Sequence, residues 1–286
     1  MSLYILEKSW DKIITAKNPV KKRTMLAHFI DSKSFQCGYF KDRQSLFEEY
    51  LLEDISEIEF EYLLSHGMRH FGEYYFRPRC RGCHSCIPIR VRTEDFKMTR
   101  SQKRALKSCD KVEVRIGTPY YSAEKFHLYL QHKKRFHTLC DDVEDDQNFK
   151  LSFYVQTPFG IEFEYYLDNK LIGVALGDVT GKSFSAIYTF YDVPPDQQIT
   201  LGTFSVLKQL EYSMAHGIKL FYLGYYIVDN RSLRYKANFR PNEIYIDQEW
   251  RPLRNAEGDY LVSEDKLRWE NTDFLVKAAP KKPDGF

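Results

Sequence analysis

A chain of 286 residues, 43% hydrophobic and 16% aromatic, can bury a substantial core in one large domain or two ordinary ones. Its 42 Lys and Arg against 40 Asp and Glu leave a formal charge of +2, which excludes a globally basic nucleic-acid binder and confines any such contact to a local patch. No apolar run is long enough to cross a bilayer, and the opening residues lack the apolar core of a signal peptide, so a soluble, cytoplasmic protein without a membrane partner is expected.

Residues 35–91 read as a compact N-terminal module that opens on a turn at Cys37. The apolar periodicity of Leu46 to Leu64 predicts a helix ending near Gly67. Arg69 to Arg77 is aromatic and strand-like, a run of thiols follows, and Ile87 to Arg92 is a second strand, an order that predicts a hairpin with the thiols at its tip. Thr99 caps a basic helix through Lys107, Lys111 to Ile116 alternates as a strand, Ser122 to Thr138 is a helix, and Asp141 to Asp146 reads as a solvated loop. Phe163 to Leu167, Leu171 to Asp178 and Phe184 to Tyr191 are short runs broken by Asp-Asn and Thr-Gly-Lys turns, which predicts an antiparallel meander. Leu201 to His216 is a helix with Leu201, Phe204, Leu207, Leu210 and Met214 on one face, stopped by Gly217, and Lys219 to Ile227 is the next strand. Beyond Phe239 the pattern weakens, and the tail from Lys281 is expected to be disordered. The expected class is α+β, with a cysteine-bearing module over 1–98 and a second domain over 99–286. Meander, helix, strand is the order at the core of acetyltransferase-like (GNAT) folds.

Four cysteines stand out. Cys80, Cys83 and Cys86 are spaced C-x-x-C-x-x-C, and Cys37 lies upstream. Two-residue gaps let successive sulfurs curl round one ion, so the set is complete for tetrahedral zinc or an iron–sulfur cluster. Cys109 and Cys140 read as isolated structural thiols. A coenzyme A enzyme of GNAT type needs a glycine-rich turn before its central helix to hold the pyrophosphate. Here that turn is Asp196 to Thr203 with Gly202 alone, so coenzyme A is not expected. Asp178, ending an apolar strand, can serve as a base or cap the turn at Thr180-Gly181, and spacing favours the cap. The basic stretches at Lys21 to Arg23, Arg100 to Lys107, Lys133 to Arg135 and Arg231 to Arg240 each read singly as a solvated face. The last mixes cations with Tyr235 and Phe239, as phosphate contact and base stacking on RNA would need.

Several segments in order carry a resemblance: Tyr75-Phe-Arg-Pro-Arg-Cys80 through Cys86-Ile-Pro-Ile-Arg90, Ser101 to Arg104, Ala186 to Asp192, Leu201 to Thr203, Tyr222-Leu-Gly-Tyr225-Tyr226, and Tyr235-Lys236 through Arg240-Pro241. Together they resemble the bacterial aspartate/glutamate leucyl-tRNA–protein transferases, relatives of the eukaryotic arginyl-tRNA–protein transferases. The resemblance implies a GNAT-like fold. It also implies transfer of an aminoacyl group, leucine before arginine, from charged tRNA to the α-amine of proteins beginning with Asp or Glu, which marks them for N-degron degradation. Under it, Asp178 assists proton transfer and Tyr188, Tyr191 and Tyr225 line the site, or else pack the sheet. Lys236 and Arg240 hold the tRNA end, and Arg77 and Arg90 read the acidic acceptor. In the eukaryotic relatives the matching cysteine region is associated with an iron–sulfur cluster. There the motif is Cys-Gly-Tyr-Cys, and here Phe40 stands in place of its second cysteine. A non-catalytic zinc-knuckle RNA-binding protein and an acyl-CoA acetyltransferase are the rival readings.

Overall fold

A computed structural model describes residues 26–30, 33–136, 145–155, 157–193, 199–255 and 257–267. The expectations for Lys21 to Arg23, Cys140, the first part of the acidic run and the C-terminal tail lie outside these residues.

The chain begins with β1 (Leu26–Ile30), the short pair β2 (Phe35–Gln36) and β3 (Gln44–Ser45), β4 (Phe47–Glu53), α1 (Glu57–Ser65), β5 (Arg69–Phe71) and β6 (Tyr74–Pro78). Four of these strands form a small sheet in the order β1-β4-β6-β5. The helix expected from Leu46 to Leu64 is therefore a strand followed by a shorter helix. Asp54, with φ +55°, turns the chain between them, and Ser56 and Glu59 form a capping box that starts α1. Local periodicity did not separate the two because β4 exposes Leu51 while burying Leu52, which blurs its alternation.

The strands flanking the thiols are not partners. β5 and β6 pair with each other around Gly72, whereas β7 (Ile87–Arg92) leaves the small sheet. It runs between β12 (Leu220–Tyr226) and β13 (Asn242–Ile246), deep inside an eight-stranded sheet. The hairpin expectation fails because Ile87, Ile89 and Val91 bury themselves in the larger core. A strand assigned to the first module thus completes the sheet of the second.

That sheet runs β14-β13-β7-β12-β11-β10-β9-β8. After β7 come α2 (Arg100–Ser108), β8 (Glu113–Gly117), α3 (Ala123–Phe136) and α4 (Asp146–Phe153). A Thr99–Gln102 capping box starts α2. Asp145 accepts from Asn148 N at 2.6 Å, so the end of the acidic run caps α4 instead of forming a loop. The expected meander is present as β9 (Gly160–Leu167), β10 (Lys170–Val179) and β11 (Ser183–Tyr191), all antiparallel. Asp168 and Asn169, both at positive φ, make the β9–β10 turn in the hand that antiparallel strands favour. α5 (Leu201–Ala215) crosses over and returns the chain to β12, parallel to β11. Leu201, Phe204, Leu207 and Leu210 are buried as expected, while Met214 is exposed and Ser205, Gln209 and Ser213 are buried instead. Tyr165 from β9 donates to Ser205 Oγ at 2.9 Å, so the face is partly polar. β14 (Glu249–Pro252) and the short α6 (Glu264–Leu267) finish the described chain.

Candidate functional site

β11 and β12 pair over only three residues, Ser183, Phe184 and Ser185 with Leu220, Phe221 and Tyr222. Beyond them β11 stays with β10 and β12 stays with β7, so the two parallel strands part and their facing backbones need other partners. Two cations fill the wedge. Arg69, at the start of β5, donates through Nη1 to Ser185 Oγ at 3.1 Å and through Nη2 to the Ala186 carbonyl, the first on β11 beyond the paired stretch. Lys236, in the 3-10 turn Arg234–Asn238, donates to Tyr225 O on β12 at 3.0 Å. Between them stands Gly224 at φ +87°, where an added Cβ would lie 3.4 Å from Lys236 Nζ and 3.7 Å from Arg69 Nε. Glycine is required here by backbone conformation and close packing together.

Burial lowers the pKa of both cations, with Tyr225 and Asp178 opposing it at Arg69. Lys236 falls from 10.5 to about 7, through burial first and the Arg69 charge second, with Cys86 acting the other way. Neither is held in an ion pair by a described residue. A buried cation and a half-buried one side by side repel each other, and an anion placed between them relieves both.

The wedge opens into a cavity of about 840 Å³. Its wall brings together Arg69, Lys236, Gly224 and Tyr225 from the wedge, Tyr188 from β11, His70 and Arg77 from the small sheet, and all four of Cys37, Cys80, Cys83 and Cys86. Phe35, Phe47, Phe71, Phe76, Ile187 and Leu223 give it a largely apolar lining. Among the carboxylates on the wall, Asp247 is already engaged by Arg251 at 3.6 Å and Lys266 at 3.5 Å.

Family models described as the N terminus and the C terminus of arginine-tRNA-protein transferase match residues 35–104 and 124–246. An aspartate/glutamate leucyltransferase from Helicobacter hepaticus is 32% identical over 227 residues, 77% of this chain and 92% of that protein. One from Campylobacter jejuni is 34% identical over 217 residues, 73% of this chain and 89% of that protein. The chain belongs to the arginine-tRNA–protein transferase family. Solved structures match loosely: FemX at 11% identity over 65% of this chain and 64% of that one, TM-score 0.41, and L-PGS from Bacillus licheniformis at 9%, over 62% and 52%, TM-score 0.40.

The transferase residues picked out from sequence divide on this geometry. Lys236, Tyr188, Tyr225 and Arg77 reach the cavity. Tyr225 is buried and its hydroxyl faces the carbonyls of Gly67 at 3.3 Å and Phe76 at 3.5 Å, so it fastens β12 to the small sheet. Arg77 has its fork on Glu48, through Nε at 2.8 Å and Nη2 at 2.9 Å, and is not free to read a substrate carboxylate. Burial raises the Glu48 carboxyl, but the hydrogen bonds and charges of Arg77 and Arg79 prevail and hold it near 2. Arg90 is off the cavity wall, bound to Glu243 at 2.7 Å and lying 4.2 Å over the Trp250 ring. Tyr191 is off it too, its ring against Gly202. Arg240 is exposed and also outside the wall.

Asp178 is fully buried and neither caps its turn nor meets the cavity. Thr180 Oγ1 caps that turn instead, accepting from Ser183 N at 2.9 Å. Asp178 Oδ2 lies 2.7 Å from His70 Nε2, and Oδ1 accepts from Thr157 Oγ1 at 3.2 Å. His70 Nδ1 is in turn 2.9 Å from Gly72 O. The pair fixes the base of β5, and with it the neighbouring Arg69. Sequence reasoning passed over Arg69 and His70 because both sit in an aromatic strand. The available signal was two adjacent polar residues where a buried strand should be apolar.

The thiols share one wall and feel one another. Burial raises Cys80 and Cys86, and the neighbouring thiols add to it. Burial also pushes Cys83 up, but Ser85 and the Arg43 guanidinium, 3.1 Å from its sulfur, outweigh this and lower it. By chemistry they are a soft donor set. In this arrangement, however, no group of three or more His, Cys, Asp or Glu among the described residues stands where it would hold a metal ion.

Proposed function

We propose that this protein transfers leucine from its tRNA ester to the α-amine of proteins that begin with Asp or Glu. The carrying observation is the parted β11–β12 pair, whose wedge presents Arg69 and Lys236 without a carboxylate partner to an apolar cavity. The acidic side chain of the acceptor docks on that cation pair. Arg69 supplies the planar donors that a carboxylate takes, and Lys236 adds a point charge. The leucyl side chain rests on the apolar wall, where the engagement of Asp247 leaves no carboxylate ready for an arginyl group.

An activated ester needs little chemical help. The α-amine has an ordinary pKa of about 8, so an appreciable share is neutral at pH 7. Its lone pair attacks the ester carbonyl carbon, the C–O bond to the tRNA 3′ end breaks, and the amine proton leaves with the ribose hydroxyl. Holding the two reactants in one cavity accounts for most of the acceleration. The meander-crossover-strand order supports a GNAT-like fold for this chemistry, with a tRNA ester in the place of coenzyme A. Among the described residues, no helix is long and apolar enough to cross a membrane.

The test mixes the protein with labelled leucyl-tRNA or arginyl-tRNA and peptides beginning Asp, Glu, Lys or Ala. Label from leucyl-tRNA on the Asp and Glu peptides is expected, and Arg69→Ala should abolish the preference over Ala. Equal label on all four peptides would refute the acceptor reading, and label only from arginyl-tRNA would refute the donor.

A further inference from the structure

A second basic arrangement lies on α2. α2 turns Gln102 and Ala105 inward and leaves Arg100, Lys103, Arg104 and Lys107 exposed. These are positions i, i+3, i+4 and i+7, which place four cations in one stripe about 10 Å long. No described residue holds any of them in an ion pair. Some other surface cations are matched: Arg92 with Glu94 and Asp95, Arg115 with Glu113, Lys150 with Asp146.

The stripe is fastened to the turn that carries Lys236. Gln102 Nε2 donates to Asn238 O at 3.2 Å, and Phe96, just before α2, stacks on Phe239 with ring centroids 6.4 Å apart. Arg231, Arg234 and Arg240, on and around that turn, are also exposed and without an ion-pair partner among the described residues. Two basic stretches far apart in sequence therefore lie against each other, and Lys236, in the second of them, stands in the cavity wall. The chain's near-neutral total charge makes this concentration local.

We propose that the exposed face of α2 and the Arg231–Arg240 segment form a single phosphate track on which the acceptor end of a tRNA lies, directing its 3′ ester to the cavity. The proposal rests on the aminoacyl-transfer reading. The occupant is RNA and not an anionic bilayer because α2 has no large exposed apolar side chain to enter a membrane interface. Such contacts are sequence-independent and carry a strong salt dependence.

The test measures binding of uncharged, dye-labelled tRNA between 50 and 200 mM salt. It compares the full chain with Lys103→Gln/Arg104→Gln/Lys107→Gln, which keeps good helix formers on an exposed face. The triple variant should bind roughly tenfold or more weakly at 0.1 M salt. Its slope of log affinity against log salt should shrink by about 2 to 3, at 0.7 to 0.9 per lost phosphate contact. Arg234→Gln, which leaves α2 untouched, should remove about one further contact. Arg115→Gln, in a matched pair on β8, should bind as wild type. An unchanged affinity and slope in the triple variant overturns the track. So does loss of binding to phosphatidylglycerol vesicles with tRNA binding intact. If no amino acid is transferred to any peptide but the triple variant still loses tRNA, the track stands and the transfer reading falls. If transfer proceeds and the variant binds as wild type, the track falls alone.

Discussion

Lys236→Met should make the protein more stable and inactive, and the gain should depend on pH. The lysine is held next to Arg69 in a half-buried wedge, and its pKa drops from 10.5 to about 7. At about 1.4 kcal/mol per pH unit, that drop corresponds to a ceiling of ~5 kcal/mol. Water reaching the half-buried side chain and loss of the hydrogen bond to Tyr225 O reduce the expected gain to ~2 kcal/mol. The sign follows from proton counting. Below pH 7 the lysine is charged in both the folded and unfolded chain, so the wild type carries the full penalty. Between 7 and 10.5 the folded lysine is neutral while the unfolded one still binds a proton, so wild-type stability rises with pH. Urea unfolding at pH 6, 7.5 and 9 should show a lead for the variant that is largest at pH 6 and shrinks upward. A variant that is less stable at pH 6, or a lead that does not change with pH, would refute a desolvated ammonium in the wedge.

Gly224→Ala should cost about 1 kcal/mol through its positive φ and raise the KM for Asp and Glu peptides, because the methyl lies against Lys236 Nζ; an unchanged KM would count against the wedge as the acceptor site. His70→Ala leaves Asp178 buried without its partner and should lose about 3 to 5 kcal/mol, and adding Asp178→Asn should restore part of it, whereas additive losses would mean the pair is not coupled. Glu48 has a depressed pKa, so its contribution is present above the unfolded value and is lost as pH falls toward 2; Glu48→Gln should flatten acid unfolding between pH 5 and 2, and parallel curves for the two proteins would contradict this.

Much of this protein can be read from its residues in order. The meander, the α5 crossover and the strand after it follow from period-2 and period-3.6 patterns with Asp-Asn and Gly stops, all local signals. Family resemblance is also a property of ordered motifs, and it singles out Lys236, a residue of the cavity wall. Two places misled for the same reason. Residues 46–64 and the strands around the thiols take their structure from long-range partners: β4 from β6, and β7 from β12 and β13. Arg77 and Arg90 looked like carboxylate readers by type, and only their packing against Glu48 and Glu243 removes them. What tertiary structure alone decided is the wedge. Nothing in a linear chain reveals that β11 and β12 stop pairing after Ser185 and Tyr222, or that Arg69, more than 100 positions from the Ser185 hydroxyl it binds, fills the gap. Strand pairing beyond a hairpin is set by which backbone groups remain unsatisfied once the core has packed, and that accounting exists only in three dimensions.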